Sequence, residues 1–270
     1  MLQNLHTHTI FCDGKDSPED MIKQAIELEF SSLGFSSHAP TCIGDNCEMK
    51  DVEKYIKAVK SLREDYSDKI EVLLGIELDY YSAGIVDTNQ FEYKIGSVHY
   101  SKIGDEILYY DFSKDKTKWQ IDNVFSGDGI AYAASYYERL AGIIDVMTPD
   151  FIGHFDLVTK FSEIDPSLID TDSKEYRSIA LEALHALSEK IEFFEVNTGA
   201  ISRGYRKTPY PAPFILDEMK KIGAKLVLTS DCHNKEYLDI CFKESKELIK
   251  AHGFDKLYYL TKNGFVGEKF

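Results

Sequence analysis

The sequence predicts an α/β chain closed into one barrel of seven parallel strands and surrounding helices, a (β/α)7 arrangement. Three observations predict it. Short apolar runs alternate with segments whose apolar residues recur at the helical period. The length, 270 residues, is near the roughly 250 that such barrels use. No repeat, low-complexity tract or linker interrupts the alternation, so residues 1–270 read as a single domain.

The first unit pairs a strand over Leu2 to Thr9 with a helix opening at DSPEDMIKQAIELEF. Ser17 fits its N-cap, Pro18 its first position and Asp20 the far corner of a capping box. Met21, Ile22, Ala25 and Ile26 supply its buried stripe. SSLGFSSH is the second strand, followed by a helix through Val52, Tyr55, Ile56, Val59 and Leu62. IEVLLGIELDY and EYKIGSVHY are the third and fourth strands. Ser101 to Asp128, polar and holding the only tryptophan, Trp119, reads as a long mouth loop or lid. A helix around Ala131 to Ile144 leads into the fifth strand, DFIGHFDL, and one containing Ile179 to Leu187 into the sixth, IEFFEVNTG. TPYPAPFILDEMKKIG enters a helix through prolines and leaves it at Gly223, a C-cap position. KLVLTSDCH is the seventh strand, with a helix through Ile240 and Leu248 after it; LYYLTKNGF reads as an extra strand or a packed end.

Composition narrows the function. A formal charge of −15 argues against a polyanion-binding surface, since nucleic-acid binders need clustered Lys and Arg. No apolar run approaches the roughly 20 residues of a membrane helix, and no signal-peptide or lipidation pattern is visible. Cys12, Cys42, Cys47, Cys232 and Cys241 are odd in number and form no C-x-x-C pair, which reads as a reduced, cytoplasmic protein.

In such barrels chemistry sits at the C-terminal ends of the strands. His6 and His8 end strand one, His38 strand two, Glu77 stands near the end of strand three, and His99 and His154 end strands four and five. Strand seven ends in Asp231 and His233. Only His185 and His252 lie elsewhere, in predicted helices. The two-residue spacing of His6 and His8 puts both imidazoles on one strand face, and Asp231 and His233 repeat it, with Cys232 between them turned into the packing. Asp13, in the loop after strand one, reaches the same rim or serves as a turn residue before Gly14. So many donors exceed the four of one tetrahedral zinc and suit two or three ions with a bridging carboxylate such as Glu77. Mixed imidazole and carboxylate donors suit Zn, Mn or Fe alike.

These residues resemble the PHP (polymerase and histidinol phosphatase) superfamily, and within it the histidinol-phosphate phosphatases. NLHTHTIFCDG, FSSHAP, GIELDY, GSVHY, GHFDL, EVNTG, SRGYRKTPYP and SDCH carry the resemblance over essentially the whole chain. It implies a distorted, TIM-like (β/α)7 barrel, a trinuclear metal site and phosphoester hydrolysis. By position, His6, His8, Glu77 and Asp231 look like ligands of one ion, Glu77, His99 and His154 of a second, and Asp13, His38 and His233 of a third. Some members have histidine where Asp13 stands, which leaves a two-ion site open. Glu77 and Asp231 are the catalytic candidates. Ser17, Lys160 and Arg203 occupy positions that face substrate, with Arg203 the candidate phosphate clamp. Lysine stands at 160 where the family suggests arginine, a point charge without the bidentate fork. Read locally, Ser17 is a helix cap, Lys160 a surface charge, and Arg203 a loop cation beside solvated Arg206 and Lys207.

The implied reaction is hydrolysis of L-histidinol phosphate, a small phosphate monoester in histidine biosynthesis, by a hydroxide bridging two ions. Competing readings are a family phosphoesterase acting on nucleotides and a non-catalytic metal-binding barrel. Amidohydrolases also begin with His-x-His, but their bridging lysine would have to replace His99.

Overall fold

In the computed structural model, which describes residues 1–269, seven parallel strands line up in the order expected. They are β1 Gln3–Asn4, β2 Ser32–Phe35, β3 Glu71–Asp79, β4 Tyr93–Ser97, β5 Phe151–Ile152, β6 Phe193–Asn197 and β7 Lys225–Thr229. Each is covered on both faces, which is why they read as apolar runs rather than alternating patterns. The ends of the sheet meet through one bridge, Thr7 to Cys232, with the His8 N–H donating to the Cys232 carbonyl at 2.9 Å. The barrel is therefore nearly closed, and that seam brings His6 and His8 beside Asp231.

Leu5, Leu73, Tyr93, Ile95, Phe151, Val227 and Leu260 fill the barrel. Tyr93 Oη donates to the Leu5 carbonyl at 2.6 Å, so the central phenol is both packed and satisfied. A larger core lies between strands and helices and includes Met21, Ile56, Phe155 and Leu216.

Helix Pro18–Glu27 starts as its sequence dictates: the Asp20 N–H donates to Ser17 Oγ at 3.1 Å, and that hydroxyl donates to Asp20 Oδ2 at 2.6 Å. Gly223 ends helix Pro213–Ile222 in left-handed backbone, φ 76°.

Several expectations need correction. β1 and β5 are two residues long, because beyond them the chain turns to present donors at the mouth. The segment from 101 to 128 is no open loop: Tyr100–Ile103 pairs antiparallel with Glu106–Tyr109, and helix Lys114–Val124 follows, capped by Ser113. Ile240 precedes helix Phe242–Ala251. The tail is a hairpin, Lys256–Thr261 with Gly264–Lys269, held to β1 by a two-way amide contact between Gln3 and the Leu260 backbone, both bonds 2.8 Å. No helix among the described residues is long and apolar enough to cross a membrane.

Candidate metal centre

Every expected metal-ligating residue arrives at one end of the barrel, and Glu77 stands at their centre. Its Oε2 lies 3.2 Å from His6 Nε2, 3.4 Å from His8 Nε2 and 2.9 Å from His38 Nδ1. Its Oε1 lies 3.0 Å from His154 Nε2 and 3.5 Å from His99 Nε2. One carboxylate thus faces imidazoles from four other barrel segments, while fully buried.

A second cluster grows from the seam. Asp231 Oδ1 is 3.2 Å from His8 Nε2, and Asp13 Oδ2 is 3.2 Å from His233 Nε2. Asp231 holds this position in left-handed backbone, φ 45°, a conformation that a non-glycine residue rarely adopts and that is found at functional sites. Donor atoms of His8, Asp13, His38 and His233 lie within 4.8 Å of one another; so do those of His6, His8 and Glu77, of His38, Glu77 and His99, and of His6, His154 and Asp231. His154 thus stands within reach of His6 and Asp231 as well as of Glu77.

Sequence reasoning passed over the carboxylates behind these imidazoles. Glu195, wholly buried on β6, puts Oε1 2.6 Å from His6 Nδ1 and accepts the Thr229 hydroxyl on the same oxygen at 2.6 Å. Its Oε2 accepts the His154 backbone N–H at 2.6 Å and the Asn197 amide at 2.9 Å. Asp79 accepts the His99 N–H at 2.7 Å. The available signal was a lone glutamate in the apolar run FFEV, on the one strand assigned no donor.

Burial and charge act together here. Burial presses His8 down, and neighbouring His233 and His38 add to this, to about 3, so its ring is neutral and offers a lone pair. For Glu77 burial works against ionisation, but His6, His38 and His99 outweigh it and hold the carboxyl well below its ordinary range. Asp231 is likewise held low against burial, by Arg203 and His6. His6 Nε2, His8 Nε2 and Glu77 Oε2 are buried without a hydrogen-bond partner. Converging donors of this kind would be costly if apolar burial were their only fate, and they fit divalent cations.

The outer members of the cluster, Asp13, His38, His99, His154, Asp231 and His233, line a cavity of about 630 Å³. Arg203 and Lys160 line it. Arg203 Nη2 donates to Asp231 Oδ2 at 3.1 Å and Nη1 lies 3.1 Å from His233 Nδ1. A Cβ at Gly199 would come within 2.9 Å of both Arg203 Nη2 and Asp231 Oδ2, so a larger residue there would push this pair aside. Lys160 is no surface charge: it is 6% exposed, and its Nζ donates to Asp111, at 2.9 Å to the carbonyl and 3.2 Å to Oδ2. Arg206 is not solvated either; it lies over the Tyr210 ring and donates to Thr159 Oγ1 at 2.7 Å, with Asp156 Oδ2 at 3.5 Å. Ser17 is not among the residues that line this cavity, and its hydroxyl caps the helix at Asp20.

Residues 4–199 match the family model of the PHP domain. Histidinol-phosphatase of Bacillus subtilis is 26% identical over 249 residues, covering 84% of this chain and 92% of that protein. Histidinol-phosphatase of Lactococcus lactis is 25% identical over 266 residues, covering 93% and 91%. The solved structure of histidinol phosphate phosphatase from Lactococcus lactis, complexed with Zn, L-histidinol and phosphate, shares the fold at a TM-score of 0.75 and 21% identity, covering 98% of each chain.

Proposed function

The chain belongs to the PHP domain family, and from that premise we propose that it is a metal-dependent phosphatase hydrolysing L-histidinol phosphate to L-histidinol and phosphate. The observation that carries the reading is a cavity lined by His38, His99, His154, Asp231 and His233, with Glu77 buried behind these imidazoles and with Arg203 and Lys160 on the wall. The named relatives, matched over most of their length, support the choice of substrate.

His6, His8, Asp13, His38, Glu77, His99, His154, Asp231 and His233 would hold two to three divalent ions of the Zn, Mn or Fe type. Such ions, when bound, supply charge neutralisation at phosphoryl oxygens and a water-derived nucleophile at neutral pH. The chain's own residues do the rest. Glu77 turns one oxygen to each group of imidazoles and so fixes their separation. Glu195 holds the Nδ1 proton of His6, which leaves Nε2 as the free donor toward the cluster. Arg203, anchored by Asp231, keeps its guanidinium at the cavity wall where phosphate oxygens would meet it. Lys160 adds a second positive charge, steadied by Asp111.

Initial-rate assays on histidinol phosphate, a nucleoside monophosphate and an aryl phosphate, compared by kcat/KM, test the proposal. A clear preference for histidinol phosphate is expected. Equal or better turnover of the nucleotide would replace it.

A further inference from the structure

Which nitrogen of a metal-ligating imidazole faces the ion is set by what its other ring nitrogen bonds. For His6 that partner is Glu195, and for His99 it is Asp79, whose Oδ2 lies 3.4 Å from Nδ1. His8 has no carboxylate so placed. A thiol stands behind its ring instead: Cys12 Sγ lies 3.5 Å from His8 Nδ1, within hydrogen-bonding reach of sulfur. The nearest carboxylate oxygen on that side, Asp13 Oδ1, is farther away at 3.8 Å. On the opposite side, His8 Nε2 faces Glu77 Oε2 at 3.4 Å and Asp231 Oδ1 at 3.2 Å.

The loop after β1 is folded to make this contact. The N–H groups of Cys12 and Gly14 both donate to the Thr9 carbonyl, at 2.9 and 3.1 Å, which turns the chain back over His8. Gly14 permits the close approach: a Cβ on it would lie 2.4 Å from the Thr9 nitrogen and 2.5 Å from the His8 carbonyl oxygen, backbone atoms that cannot step aside. The His8 ring also stacks on His233, centroids 4.2 Å apart at 17°. Stacking fixes the plane of the ring, and the thiol fixes the place of its proton. We propose that Cys12 is a positioning residue of the metal centre: its sulfur accepts a hydrogen bond from the Nδ1–H of His8 and so leaves Nε2, the nitrogen facing Glu77 and Asp231, free to hold an ion. This role rests on the proposed metal-dependent function of the cluster.

The test reads metal affinity rather than turnover. Zinc binding to the full chain is measured by chelator competition for wild type, Cys12→Ala and Cys12→Ser, and each chain is also melted with its metal stripped. Affinity for at least one ion should fall about tenfold in Cys12→Ala, the low end for an outer partner of a ligating histidine, because sulfur is a weak acceptor. Cys12→Ser restores an acceptor on a shorter arm and should recover part of the loss. Cys42→Ala, which removes an exposed thiol, should bind zinc as wild type does. Cys12 also packs against the larger core, so its competing role is packing alone. That role would lower the melting temperature of the metal-free chain and leave zinc affinity untouched, whereas positioning lowers affinity with the metal-free melting close to wild type. Unchanged affinity in Cys12→Ala, or equal losses in the alanine and serine variants, would overturn the assignment. If the wild-type chain binds no zinc, it is the proposed metal centre that fails.

Discussion

Glu195 Oε1 lies 2.6 Å from His6 Nδ1, although 189 residues separate them in the chain. The contact sets which ring nitrogen of His6 carries its proton and which faces Glu77, and the other oxygen of Glu195 ties down the His154 backbone. Burial opposes ionisation of this carboxyl, but His6 overcomes it and keeps Glu195 below its ordinary range, so it accepts rather than donates. Glu195→Gln keeps the shape but removes the acceptor charge. Metal affinity should fall about tenfold to a hundredfold, read by chelator competition. Unchanged affinity would show that the contact only packs.

Glu77 is predicted to span two groups of donors. Glu77→Gln nearly preserves volume, so circular dichroism should report a retained fold. Turnover should fall by at least about tenfold, because the charge shared by both groups is gone. Near-normal kcat in this variant would rule out the bridging role.

The three neighbouring cations should separate cleanly. Arg203→Ala is expected to lower kcat/KM by roughly tenfold to a hundredfold, the worth of a charge-assisted contact of about 1.5 to 3 kcal/mol. Arg203→Lys should recover only part, lacking the planar fork. Arg206→Ala should instead cost stability, about 1 to 3 kcal/mol, because it removes the guanidinium beside buried Asp156, which keeps the Ala212 N–H, and leaves Thr159 Oγ1 without its donor. Lys207→Ala should change neither. Rates and melting temperatures of the four variants decide the matter, and equal behaviour of the alanine variants would place the clamp elsewhere.

Metal content is open to direct count. Protein expressed with metal supplementation and purified without chelator should carry two to three transition-metal ions per chain by elemental analysis. Chelation should lower the melting temperature, since ions that bind only the folded cluster stabilise it by mass action, and re-addition of metal should restore it. One ion or none per chain would sink the multinuclear model.

By itself the sequence determined the alternation of strands and helices, the cap at Ser17 and the glycine stop at 223, because these follow from spacing and local chemistry within a few residues. It also pointed to the donors that gather at the mouth, since they cluster at strand ends, although His6, His8, Asp231 and His233 lie beyond the regular strands and Asp231 is in left-handed backbone. Tertiary structure decided what those donors meet. Glu195 behind His6, Asp79 behind His99, and Asp111 beside Lys160 are contacts across barrel segments that no local pattern encodes. The same holds for Lys160 and Arg206, which read as exposed charges until barrel closure buries them against carboxylates. Spacing acts over a few residues, whereas pairing across the barrel is settled only when the seam between Thr7 and Cys232 brings the first strand to the last.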